Sequence, residues 1–164
     1  MAEVRWLSDA EQRAWRAYLE ATMLLFETLD RQLQADAHMP HGYYEILVRL
    51  SEADGWALRM SELAASTRSS RSRLSHAVAR LEDRGWVRRC AAEGDRRGHV
   101  ATLTDLGFDV LAAAAPGHVR TVRAHVIDRL TPEQVTQLEA IGRAIVDGLT
   151  PQGDIASTAS RTPD

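Results

Sequence analysis

Lysine is missing from the 164 residues altogether, and all 20 basic side chains are arginine. Cysteine occurs once, at Cys90, which excludes an internal disulfide framework and a zinc site built on several thiolates. No apolar run approaches the roughly 18–20 residues that cross a bilayer. The start, Met1-Ala2-Glu3-Val4-Arg5, lacks the basic and then apolar profile of a secretory signal. A glycine-rich phosphate loop behind a strand, a nucleophile elbow and a His-Glu-x-x-His pair are absent too. No enzymatic chemistry, no cofactor, no metal site and no membrane contact are therefore expected. The 45% apolar content builds one ordinary core, so the expectation is a single-domain cytoplasmic protein.

The net charge of −3 conceals a segregation. Residues 1–65 carry 6 Arg against 11 acids, residues 66–99 carry 9 Arg against 4 acids, and residues 100–164 carry 5 Arg against 8 acids. A patch of one sign attracts a polyanion, so the basic middle is where a partner is sought.

Helical periodicity organises the flanks. Ser8 followed by Glu11 forms a capping box, and Trp15, Leu19, Thr22, Phe26, Leu29 and Leu33 then recur at spacings of 4 and 3. That helix is longer than a small domain needs for its own core. Pro40 and Gly42 mark a junction, and a short helix is predicted from Tyr43 to Ala53, closed by Asp54-Gly55. Ser61 caps another short helix with Leu63 and Ala64 inward. Ser69 or Ser70 caps the next, which runs to about Arg84 and stops at Gly85. Its buried stripe is Leu74, Val78 and Leu81, and its remaining face carries Arg71, Arg73, Ser75, His76 and Arg80. Residues 86–91 and 99–103 are β-prone, and the glycine-bounded stretch 92–98 between them closes a hairpin. A long helix follows from Thr104, with a kink or break at Pro116-Gly117. Thr131-Pro132-Glu133-Gln134 opens the last helix, whose apolar face is Val135, Leu138, Ile141, Ile145 and Leu149. Residues 151–164 read as a disordered tail.

Helix, helix, turn, arginine-rich helix and basic hairpin suit one task. A helix with a narrow apolar stripe rests on a core while its opposite face enters the major groove of B-DNA. The hairpin tip, with Arg96 and Arg97, reaches a neighbouring minor groove, and Asp95 fixes the direction of a guanidinium beside it. Asp95-Arg96-Arg97-Gly98 followed by Leu103-Thr104-Asp105-Leu106-Gly107 resembles the wing signature of the MarR family of bacterial transcription regulators. Met60 to Ala64, Ser70 to Leu74 and Leu81 to Val87 resemble that family's helix pair and recognition helix. The likeness covers about residues 8–149 and implies a mainly α fold with a small β-hairpin wing. In that reading, residues 1–150 form one protomer, with a winged helix-turn-helix lobe at 40–103 and dimerisation helices at 8–36 and 104–149. It implies a homodimer on a pseudo-palindromic double-stranded operator, with Arg97 as the wing arginine and Asp95 as its partner. Ser70, Arg71, Arg73, Ser75, His76, Arg80 and Arg96 complete the expected DNA-binding set, undivided between base and phosphate contacts.

The resemblance also implies a repressor released by a small phenolic or anionic effector lodged where the dimerisation helices meet the lobe. Trp15, His41, Tyr43 and Tyr44 either line such a site or serve as junction packing. Cys90, beside Arg88 and Arg89, reads as a packing residue rather than a redox sensor. His38 and His41 have no acidic or thiol partner nearby in sequence, and His118 and His125 lie two helical turns apart, so neither pair makes a metal site. The competing class is a dimeric helical interaction module that binds an acidic partner or a small ligand instead of DNA. RNA fits less well, since no aromatic residue punctuates the basic face for base stacking.

Overall fold

Capping chemistry sets where most of the helices begin. The structure, a computed structural model, describes residues 3–92 and 95–150, and the side chains of 92 and 95–97 lie outside that description. The segment 151–164, expected to be disordered, also lies outside the described residues. Helix α1 (Asp9–Ala37) starts at Ser8, whose backbone N–H donates to Glu11 Oε2 at 2.7 Å while the Glu11 N–H donates to Ser8 Oγ at 3.4 Å. Only Leu29 and Leu33 of α1 are buried, and Trp15, Leu19 and Phe26 stand exposed. Helix α2 (His41–Ser51) begins two residues earlier than the sequence suggests and ends earlier too. Pro40 supplies its N-cap, and the Asp30 carboxylate takes the His41 N–H at 2.8 Å.

A 3₁₀ turn at Asp54–Trp56 leads into strand β1 (Ala57–Arg59), which periodicity does not reveal. Helix α3 (Met60–Ser66) is capped from Arg59, not Ser61, with the Arg59 N–H donating to Glu62 Oε2 at 3.1 Å. Helix α4 (Arg71–Asp83) and strands β2 (Val87–Ala92) and β3 (Asp95–Leu103) complete the lobe. The sheet order is β1-β3-β2, antiparallel throughout, with Ala57 opposite Thr102 and Val87 opposite Leu103. Strand β3 therefore begins at Asp95, inside the stretch 92–98 that the sequence assigns to a loop.

Leu33, Met39, Leu47, Leu50, Leu63, Leu74, Val78 and Leu81 are almost fully buried and form one core under α2, α3, α4 and the sheet. At the far end of α4, Gly85 adopts φ 73, its N–H donating to Glu82 O at 2.8 Å and the Trp86 N–H to Leu81 O at 3.0 Å. This left-handed exit is the paired-bond C-cap that glycine favours. The Trp86 carbonyl then accepts the Thr104 N–H at 3.0 Å, and Thr104 Oγ1 donates to Gly85 O at 2.7 Å and accepts the Gly107 N–H at 3.0 Å.

Helix α5 (Asp105–His125) runs on through Pro116 as one helix, so the break that the sequence allows there does not occur. Pro116 removes one backbone bond on a side of the helix that is open to solvent, with Ala112 and Pro116 both exposed. Gly117 meanwhile lets α5 close on α1, since a Cβ there would lie 2.8 Å from Asp36 Oδ2 and 2.9 Å from Gln32 Nε2. Further along the same contact, His118 packs on Tyr44 (centroids 4.5 Å apart) and His41 (5.9 Å), and His41 meets Phe26 edge-on at 5.5 Å. Burial, and then the neighbouring His41, hold the His118 pKa below its ordinary value of 6.5. Residues 123–150 form a separate unit, in which α6 (Pro132–Leu149) starts from the Thr131–Gln134 capping box. No α6 residue is buried, and Leu138, Ile141, Ile145 and Leu149 are exposed along one side.

Two outcomes follow from this packing. A Cβ on Gly107 would fall on the Trp86 carbonyl oxygen, so Gly107→Ala should cost at least about 1–3 kcal/mol. Gly42→Ala, with nothing within 4 Å, should be neutral or stabilising. Urea unfolding midpoints compare the two. Because His118 is held neutral in the fold, the unfolded chain takes its proton first as pH falls. Stability should be constant above about pH 7.5, drop as pH falls below about 6.5, and level off below the depressed folded value. Thermal unfolding across that range should show a shallower drop in His118→Asn.

Candidate nucleic-acid interface

The turn between α3 and α4 is held from below and open above. Thr67, a buried polar residue, donates its hydroxyl to Leu63 O at 2.8 Å, and the Ser69 N–H reaches Ala64 O at 3.0 Å. Arg68 reverses the chain at φ 51, a left-handed conformation that costs a non-glycine residue energy, and its side chain is exposed. Ser70 is the cap that α4 uses, its Oγ accepting the Arg73 N–H at 3.3 Å. Leu74, Val78 and Leu81 then anchor the helix, each at most 1% exposed. With that stripe down, Arg71, Arg73, Ser75, His76 and Arg80 are all exposed.

The nine arginines of the basic segment do not share one role. Arg84 lies 4.8 Å over the Trp86 ring and 5.8 Å from the Tyr43 ring centroid, and its Nη1 donates to His38 O at 3.0 Å. It ties the end of α4 to α2 and to the end of α1. Arg89 is half-buried against Glu82, which accepts both its backbone N–H at 2.9 Å and its side-chain Nε. Arg80 sits 3.6 Å from Asp83, both well exposed, a pairing worth little. Among the described residues, Arg68, Arg71, Arg73 and Arg88 form no ion pair and face solvent. The side chains of Asp95, Arg96 and Arg97 lie outside the described residues; their backbone opens β3.

Between α4, the start of α3 and the root of the wing lies a groove of about 430 Å³, lined among others by Arg59, Ser61, Arg71, Ser75, Arg89 and His99. The pleat explains its far wall. His99 is on the side of β3 that carries Ala101 and Leu103, one step beyond the core. Arg59, the last residue of β1 and the N-cap of α3, lines it from the start of that helix. Sequence reasoning found Arg71 and Ser75 but missed Arg59, Ser61, Arg89 and His99. Three of these depend on strand register, and Ser61 was assigned to capping.

The four residues expected around an effector do not converge. His41 and Tyr44 meet His118 and Phe26, and the His118 Nδ1 is buried without a partner among the described residues. Tyr43 faces Arg84 instead. Trp15 stacks on Tyr18 at 6.2 Å, about 16 Å along α1 from Phe26 at the usual helical rise. Cys90 is exposed on β2, opposite Val100. Among the described residues, no three His, Cys, Asp or Glu gather as metal ligands, and no helix is long and apolar enough to cross a membrane.

The description "MarR family" matches residues 39–98. The crystal structure of Sco3205, a MarR family transcriptional regulator from Streptomyces coelicolor in complex with DNA, is 55% identical. It superposes with a TM-score of 0.89 over 93% of this chain and 95% of that one. PecS, an HTH-type transcriptional regulator of Dickeya dadantii, is 31% identical over 99 residues, 60% of this chain. That match spans 59% of PecS. The transcriptional repressor MprA of Escherichia coli is 26% identical over 125 residues, 76% of this chain and 70% of that one. A capped helix pair carrying an exposed arginine face, a three-stranded wing and this degree of identity agree, and the chain belongs to the MarR family of winged helix-turn-helix transcriptional regulators.

Proposed function

We propose that the protein regulates transcription by binding double-stranded DNA sequence-specifically as a homodimer. The observation that carries this reading is the single exposed face of α4, which presents Arg71, Arg73 and His76 beside a polar groove that runs to the wing. The DNA complex of Sco3205, at 55% identity, supports it. Helix α4 lies in the major groove, Arg80 and the Ser70 end stand near the phosphates, and the wing tip with Asp95, Arg96 and Arg97 enters the minor groove.

The unburied apolar sides of α1 and α6 support pairing with a second copy, and two-fold pairing calls for a pseudo-palindromic operator. The division of labour is residues 40–103 for DNA, and 8–36 with 104–149 for the dimer. Repression is the direction suggested by the relation to MprA. A small phenolic or anionic effector would release the DNA from the junction of Phe26, His41, Tyr44 and His118, where an imidazole nitrogen awaits a partner. It needs only to bind the DNA-incompetent lobe spacing more tightly. Such a regulator works in the cytoplasm, beside the chromosome.

Sedimentation at micromolar concentration should give a dimer, and a lone monomer would count against the proposed assembly. In gel-shift titrations, affinity for a selected duplex should fall steeply between about 50 and about 200 mM salt. Arg97→Ala should weaken that binding by about 1–3 kcal/mol, and unchanged affinity would remove the wing from the interface.

A further inference from the structure

The groove beside α4 separates side chains that sequence alone leaves undivided. An α-helix turns 100° per residue, so with Leu74, Val78 and Leu81 in the core, the residues most nearly opposite are Asp83 in the last turn, beside Arg80, and Ser72 and His76 in the first two turns. Arg71 and Ser75 lie one residue step round the helix from these, on the flank turned to the wing, and both line the groove. Arg73 lies on the other flank and does not line it. Resting on the DNA-binding reading, we infer that this groove seats one sugar–phosphate strand, held by Arg71, Ser75, Ser61 and His99, while Ser72 and His76 read the bases.

The chemistry of the walls favours phosphate. Two hydroxyls, an imidazole and three guanidinium groups line the groove, and among the described residues no carboxylate belongs to its lining. Glu82, the acid nearest Arg89, is occupied by that residue's backbone and side chain. Arg71 keeps its charge free of any ion pair among the described residues. Phosphate strands border the major groove on both sides of an inserted helix, so the flanks of the helix meet them and only its outermost face reaches base edges. The shape therefore assigns register to the flank and sequence preference to the crest.

Fluorescence anisotropy over a salt series tests the division with two 30-base-pair duplexes, one enriched by the wild-type protein from a randomised pool and one scrambled. Arg71→Ala should weaken both several-fold by the same factor and reduce the salt slope by about 1, and Arg71→Lys should restore both. His76→Ala and Ser72→Ala should weaken the enriched duplex alone, and selection repeated with His76→Ala should yield a different consensus. The inference is overturned if Arg71→Ala spares the scrambled duplex, if lysine fails at position 71 while the variant stays folded by circular dichroism, or if His76→Ala lowers both affinities equally. Should the wild type enrich no duplex at all, the DNA-binding reading falls first and takes this division with it.

Discussion

The backbone carbonyl of Trp86 is the point on which the lobe turns. It follows the left-handed exit of α4 at Gly85, opens β2, and accepts the amide that ends β3 and starts α5. Thr104 locks the same spot from its side chain, and Gly107 is bare because the carbonyl occupies the volume of a Cβ. Helix α4, wing and long helix thus share one joint made of a few short hydrogen bonds. The Glu82–Arg89 pair adds a second tie between α4 and β2, a turn back along the helix. A surface whose parts must match a repeating polymer needs fixed angles between those parts, and the joint supplies them locally, without a large core.

That joint was legible in the sequence, because every component is a short-range signal. Gly85 behind a 3.6-period stripe reads as a left-handed cap, and Leu-Thr-x-x-Gly marks the entry to α5. The α4 stripe and the α6 capping box were legible for the same reason. Signals that depend on distant partners were not. β1 is three residues long and exists only by pairing with β3, so no periodicity announces it, and the groove wall it builds stayed hidden with it. Helix α5 is continuous through Pro116, and the bare Gly117 that follows it lies against the Asp36 and Gln32 side chains of α1, a contact no local pattern shows. Tyr43 and Tyr44 are neighbours in the chain but about 100° apart around a helix, so one joins the histidines and the other a guanidinium.

Charge counting overstated the basic surface in an instructive way. The surplus in residues 66–99 includes Arg84 and Arg89, which serve the fold through ring faces, a carbonyl and a carboxylate. Guanidinium chemistry explains how one residue type fills both roles, since it stacks on aromatics and forks onto oxygens as readily as it meets an anion. What remains exposed and without an ion pair among the described residues is smaller: Arg71 and Arg73 on α4, Arg68 at the turn before it, and Arg88 on β2.

The sheet has unequal reach. β1 accompanies β3 only as far as the Arg59–Val100 pair, whereas β2 continues to the Ala92–Asp95 pair, past an irregular register at Ala91 and Ala92. The root is a three-ply slab and the outer part a two-ply strip, which coils more strongly on its own account, with the bulge adding to it. The heading of the tip consequently depends on that slip in register, where residues 96–98 of β3 fall between the Ala91–His99 and Ala92–Asp95 pairs, rather than on the core. A lineage could re-aim this projection by editing that bulge alone, leaving the slab beneath untouched.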